Sequence, residues 1–299
     1  MHSGISTTGL WVSVAFTALV TTNFACGSSS DPKPSGEDAL SRDDPTSDGR
    51  RNQFRISSVD VSTAASAVQE VGATFNYLPY GYEEDGCYAR ALYVAMELAV
   101  HQIPSNALFA FATPGRPLQV RGMSWRYHVA PLLWVRGWQP NEPETTMVFD
   151  PGVSPGRPLT IDGWLHAIGR QHGEPGGPVL VSVPGSKYGI GGIETYYDAL
   201  YDVPSFAAMP AFNESDVLDA CSVMYRYLNA DTPYVGSNQA KQSMLLGRTR
   251  TLLDGLVAVG KLNHNAQFTE AACGAVGARF TTASAYGLDP SAPPIDSAP

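Results

Sequence analysis

The chain has 299 residues, 43% of them hydrophobic, which is enough to bury a full core in one or two domains. Its 19 Lys and Arg stand against 28 Asp and Glu, for a net charge of -9 with no basic cluster, which argues against nucleic acid as a partner. With 29 Gly and 23 Pro, turns are frequent, and the composition fits an α+β domain better than a helical bundle.

Residues Leu10 to Val20 (LWVSVAFTALV) form an apolar run too short to span a bilayer and of the size of a signal-peptide core. Ala25-Cys26-Gly27 and a Gly/Ser-rich tether follow. A small residue before Cys, then a polar tether, resembles a bacterial lipobox. Asn23 departs from the Leu usual there, and the leading residues carry no Lys or Arg. The expectation is an exported chain, 1–26 being the signal segment, lipidated on Cys26 or cleaved nearby and released. Residues 27–55 hold Ser, Asp, Pro, Gly and charge with almost no large apolar side chain. Such a segment cannot offset its ordering entropy and reads as a disordered tether. A role as a removable pro-segment is an alternative with no residue to support it.

From 56 to 80 the apolar residues Ile56, Val59, Val61, Val71, Phe75 and Tyr77 alternate loosely. The stretch Asp85-Gly86-Cys87-Tyr88-Ala89-Arg90-Ala91 then opens an amphipathic helix, with Asp85 as the expected N-cap. Ala89, Leu92, Tyr93, Met96, Ala99 and Val100 recur at helical spacing as its buried face, and Pro104 closes it. A thiol in a first helical turn lies at the positive end of the macrodipole, which favours the nucleophilic thiolate. The plainer reading of Cys87 is a buried, inert cysteine.

Strands are expected at 107–111 and 118–120. Trp125 to Val135 (WRYHVAPLLWV) and Met147-Val148-Phe149 read as two more, the second stopped by the Asp150-Pro151-Gly152 turn. Gly137 to Glu144 reads as a polar loop between them. A loop centred between Pro140 and Asn141 brings His128 and Asp150 near direct cross-strand opposition, where side chains sit roughly 5 Å apart. Thr160 is placed to cap a helix from Ile161 to His172 that turns Trp164, Leu165 and Ile168 inward. Val179 to Val183 is a strand. The loop Lys187 to Gly192 lacks the spacing of a nucleotide-binding turn. Helices are expected at Glu214–Leu228 and Lys241–Val259, and the Ala/Ser/Pro-rich residues 283–299 read as a frayed tail. No internal repeat, CxxC or HExxH is present, and no cofactor or metal is expected.

A Cys at a helix start, a His on a strand and an Asp beside that His are the parts of a thiol nucleophile system. The imidazole moves the proton and the carboxylate orients the ring. Taken singly, His128 reads as a core histidine and Asp150 as a turn cap. The two remaining cysteines, Cys221 and Cys273, form the expected disulfide of an exported chain. His101, His166, His172 and His264 read as surface or helix-end residues, and Arg90 as a structural or face-covering side chain.

The runs Asp85 to Ala91, Trp125 to Pro131 and Val148-Phe149-Asp150-Pro151, with Trp164 downstream, resemble the bacterial protein-glutamine glutaminase family over residues 70–185. That resemblance implies a papain- or transglutaminase-like α+β core, a Cys-bearing helix on an antiparallel sheet, at 56–200. The residues 201–282 would be a helical C-terminal extension. It further implies metal-free hydrolysis of the side-chain amide of protein-bound glutamine, with Cys87 as nucleophile, His128 as general acid/base and Asp150 as orienter. Leu92 departs from the family's usual His directly after Ala-Arg-Ala. Protein substrates, a monomer and membrane contact only through a lipid on Cys26 are the expected partners. Transglutamination, with a lysine amine in place of water, is an alternative outcome, though Tyr88 follows the nucleophile where transglutaminases favour Trp. A thiol peptidase is another, without the CGSCW pattern. A surface lipoprotein using this fold as a binding module would be favoured by a Cys87 that is buried or disulfide-bonded.

Overall fold

The computed structural model describes residues 58–81, 86–113, 115–120, 123–139, 142–171, 173–188, 205–228, 238–263, 268 and 271–273. The signal, lipobox and tether segments, Asp85, the glycines at 189, 191 and 192, His172, His264 and the tail lie outside them.

The described chain opens with a two-residue strand β1 (Val59–Asp60) and helix α1 (Val61–Ala73). This corrects the loose alternation read over 56–80. Asp60 caps α1 by accepting from the Thr63 N–H, and Ala64, Ala67 and Val71 are buried at three- and four-residue intervals. Hydrogen bonds to its carboxylate, led by the Thr63 backbone, hold the Asp60 pKa down at about 2.

Helix α2 (Cys87–Val100) is the centre of the molecule. An amphipathic stripe was expected. Instead every residue from Cys87 to Ala99 is buried, because the sheet covers one side and further helices cover the others. Ile103 N–H reaches back to Leu98 O (3.0 Å) with Gln102 left-handed (φ 59°), and Pro104 follows as expected.

The sheet is built on β5 (Tyr127–Gln139). One edge of β5 pairs antiparallel with β2 (Asn106–Phe111) and, further along, parallel with β1; β2 in turn pairs with β7 (Val179–Pro184). Its other edge pairs with β6 (Glu142–Val148) in a register that sets Leu132 opposite Val148 and Gln139 opposite Glu142. The hairpin centre lies where the sequence put it, but Gly137 to Glu144 is not a loop: the strands run on to Gln139 and resume at Glu142. Consecutive residues Val129 to Leu133 are buried, as in a strand covered on both faces. The run expected from Trp125 is split, since Trp125 ends a small hairpin of β3 (Leu118–Val120) and β4 (Met123–Trp125).

Helix α3 (Ile161–Ala167) is capped by Thr160, whose hydroxyl accepts from Gly163 N–H, and buries Trp164, Leu165 and Ile168. It stops earlier than the expected His172 because Gly169 turns left-handed (φ 74°) and Arg170 N–H closes on Leu165 O. Helices α4 (Glu214–Tyr227) and α5 (Gln239–Ala258) fall within a residue or two of expectation, and Cys221 is bonded to Cys273 (Cα–Cα 5.5 Å).

These two helices pack on α2 and share its core. Tyr93 and Thr249 hydroxyls meet at 2.6 Å. Glu97 of α2, with no exposed surface, accepts from the Tyr77 hydroxyl (2.6 Å) and pairs through both carboxylate oxygens with Arg248 of α5. Burial, followed by the Glu97 charge, pushes the Tyr77 phenol well above its usual pKa, so it remains a donor. Arg248→Met leaves Glu97 buried with Tyr77 as its remaining donor, and urea unfolding is expected to show a loss of about 3 kcal/mol. Adding Glu97→Gln should recover part of that loss; no recovery would place the cost in lost packing of the Arg248 stem instead.

Candidate active site

Gly86, not Asp85, occupies the N-cap of α2, and no side chain caps the helix there. Its left-handed backbone (φ 87°) suits glycine. A β-carbon at this position would meet Met224 Cε and a Tyr227 ring carbon, each at 2.8 Å. The turn that presents Cys87 is therefore seated directly against α4, a contact no local sequence pattern signals.

Cys87, His128 and Asp150 line one small cleft of about 230 Å³, together with Tyr80, Arg90 and Pro131 among others. Their convergence follows from the elements. Cys87 begins α2, His128 is the second residue of β5, and Asp150 stands just past β6. His128 and Asp150 are not ladder partners, because regular β5–β6 pairing ends at Leu132 and Val148. One further bond joins Phe149 N–H to Pro131 O (2.8 Å), after which the Asp-Pro-Gly turn brings the carboxylate onto the ring. His128 Nε2 and Asp150 Oδ2 are 2.6 Å apart, both residues buried.

Asp150 accepts from other donors as well: Trp164 Nε1–H at 2.8 Å on the same Oδ2, and Val153 N–H at 3.3 Å on Oδ1. Burial opposes ionisation of this carboxyl. The His128 charge, the hydrogen bonds from His128 and Trp164, and the Arg90 charge outweigh it and leave the pKa below its usual value. Arg90 is buried beside them and donates to Pro79 O (3.4 Å), which fits a structural role.

The other imidazole nitrogen, Nδ1, is buried with no hydrogen-bond partner among the described residues. A buried polar atom without a partner is uncommon in a folded protein. The indoles of Trp125 and Trp164 flank the ring, at centroid distances of 4.6 and 5.7 Å. Trp125 Nε1 is likewise unpartnered. Both indoles were visible in the motifs, but nothing in the sequence gave them a role, since their relation to His128 is set across strands and helices.

Cys87 is 1% exposed and disulfide-bonded. Both conditions that favour a binding module are thus met at this residue. A disulfide sulfur has no proton to donate, which is in keeping with the unpartnered Nδ1. Among the described residues no group of His, Cys, Asp and Glu is arranged to hold a metal ion. Of the other histidines, His101 pairs with Glu70 at 3.3 Å near the surface and His166 lies in the last turn of α3.

Two outcomes follow from this geometry. Gly86→Ala combines a strained φ with overlap on α4 and is expected to lower stability by about 2–4 kcal/mol in chemical unfolding. A variant as stable as the wild type would mean that Met224 and Tyr227 give way easily. Because the folded pKa of Asp150 lies below its unfolded value, its contribution is complete above the unfolded pKa and is lost as pH falls through the folded one. Asp150→Asn should therefore lose less stability than the wild type as pH falls below the ordinary carboxylate range; equal losses would show that the folded state does not favour the ionised Asp150.

Residues 62–168 match the model of a family described as glutaminase. Solved structures similar to the chain include the NMR structure of protein-glutaminase from Chryseobacterium proteolyticum, at 17% identity over 62% of this chain and 97% of that one (TM-score 0.43). A crystal structure of protein-glutaminase is similar at 17% identity over 61% of this chain and 95% of that one (TM-score 0.41). No curated protein matches the sequence. The matched segment contains Cys87, His128, Asp150 and Trp164.

Proposed function

We propose that the chain is a protein-glutamine glutaminase that converts protein-bound glutamine to glutamate and ammonia through a thioester on Cys87. The observation that carries this reading is His128, held at Nε2 by Asp150 and unpartnered at Nδ1, in the cleft that Cys87 also lines. The glutaminase match over the same residues supports it.

In this reading the reduced Cys87 passes its proton to His128 Nδ1, and the thiolate attacks the γ-carboxamide carbon. The developing oxyanion is met by first-turn backbone donors, the Cys87 N–H among them, which has no intrahelical acceptor. The C–N bond breaks as Nδ1–H protonates the departing ammonia. The neutral ring then takes a proton from water, hydroxide attacks the thioester, and the C–S bond breaks to give glutamate and the thiol. Asp150 stabilises the imidazolium throughout. A lysine amine in place of water would give transglutamination from the same thioester.

A second reading, a binding module on this fold, is favoured by the buried, disulfide-bonded state of Cys87. Against it, a binding surface has no use for an oriented imidazole with one open nitrogen. The localisation proposal bears on this choice. We place the chain outside the cytoplasm, as a monomer acting on protein substrates and anchored by lipid on Cys26, the one cysteine besides Cys87, Cys221 and Cys273.

The deciding experiment is ammonia release from casein by the full chain after mild reduction, beside Cys87→Ala. The product should gain about one mass unit per converted glutamine, and the variant should lose activity by a factor of about 10³ or more. Lysine cross-links would instead assign transglutamination, new chain termini would assign proteolysis, and silence of the reduced protein would favour the binding module.

A further inference from the structure

We propose that Trp164 is a positioning residue: as a donor-only partner on Asp150 Oδ2, its indole N–H keeps Asp150 an acceptor and so fixes neutral His128 with its proton on Nε2 and a bare Nδ1. The inference rests on the reading of Cys87, His128 and Asp150 as the reacting set.

Every hydrogen bond described at the Asp150 carboxylate comes from an N–H group or from the His128 ring. The indole nitrogen can only donate. Trp164 at 2.8 Å and His128 Nε2 at 2.6 Å share Oδ2, and Val153 N–H takes Oδ1. Donors on both oxygens favour the ionised carboxylate, which has no proton to give and can only accept. With Oδ2 confined to accepting, the ring nitrogen facing it must be the donor, which leaves the lone pair on Nδ1. That is the nitrogen the thiol-to-imidazole proton transfer needs.

The rest of the site holds the indole where this requires. Trp164 has no exposed surface, sits in the second turn from the Thr160 cap, and its ring lies nearly parallel to the imidazole (26°). Asp150, by contrast, stands in a turn after the last regular strand pair, where no β-ladder bond fixes its side chain. Without the indole N–H, the carboxylate is free to rotate toward Val153 and the ring loses its one-sided constraint.

The test separates donor from packing. Replacing Trp164 by β-(3-benzothienyl)alanine exchanges the N–H for sulfur in a ring of nearly the same shape, and Trp164→Phe is the simpler counterpart. The full chain, mildly reduced and carrying ¹⁵N-labelled histidine, reports the His128 tautomer by NMR, with His128→Gln assigning the signal. The wild type should show the bare-Nδ1 form, and the benzothienyl variant a mixture of tautomers. On a glutamine-containing peptide, kcat should fall about tenfold with KM within about twofold and an unchanged melting midpoint, since only transition-state stabilisation is lost. An unchanged tautomer with unchanged kcat would overturn the proposal and leave Trp164 as core packing. The ring signals decide the matter even if the wild type releases no ammonia, an outcome that would sink the glutaminase reading and not this one.

Discussion

A buried imidazole serves as a base toward one side only if its other nitrogen is held and kept protonated. In this protein that constraint falls on a carboxylate 2.6 Å from His128 Nε2, itself surrounded by donors. Burying Asp150 works against its ionisation, yet the charge and hydrogen bonds placed around it reverse the balance. The result is a buried His–Asp–Trp164 cluster in which, among the described residues, Nδ1 has no partner. A network completed on one side and open on the other differs from a core histidine, whose two nitrogens would both be occupied.

Cys87 is brought to the same cleft as His128 by the placement of one helix. Helix α2 carries Cys87 at its start and is enclosed along its length, so its position is set by everything packed on it. The sheet fixes one side. On the others, Glu97 is tied to Arg248 and Tyr77, Tyr93 to Thr249, and Gly86 lies against Met224 and Tyr227. The C-terminal helices therefore do more than extend the domain. They share its core and press on the turn that presents Cys87, with the Cys221–Cys273 disulfide holding α4 to the segment after α5.

The disulfide at Cys87 and the family match point in different directions, and chemistry orders them. A sulfur already bonded to sulfur cannot attack an amide, so the oxidised state is a resting or inactive form of any thiol enzyme. The oriented imidazole, the depressed carboxyl and the flanking indoles are costly arrangements of buried polar groups. A binding module would gain nothing from them.

Much of this was legible in the residues. Helical spacing and the stop at Pro104 located α2, the Asp-Pro-Gly turn and the central loop located the hairpin, and the cap at Thr160 located α3. Local chemistry dictates these features, so the sequence by itself placed most elements from α2 onward and named Cys87, His128 and Asp150. It misjudged what depends on partners distant in the chain. Residues 61–73 looked loosely alternating until the core selected their helical face, and Gly137 to Glu144 looked like a loop until β5 and β6 paired through it. Only the tertiary structure decided that Gly86 starts α2, that α4 and α5 enclose it, and that two donors meet on Asp150 Oδ2. Those facts join residues tens to more than a hundred positions apart, and no spacing rule reaches across a fold that packing alone brings together.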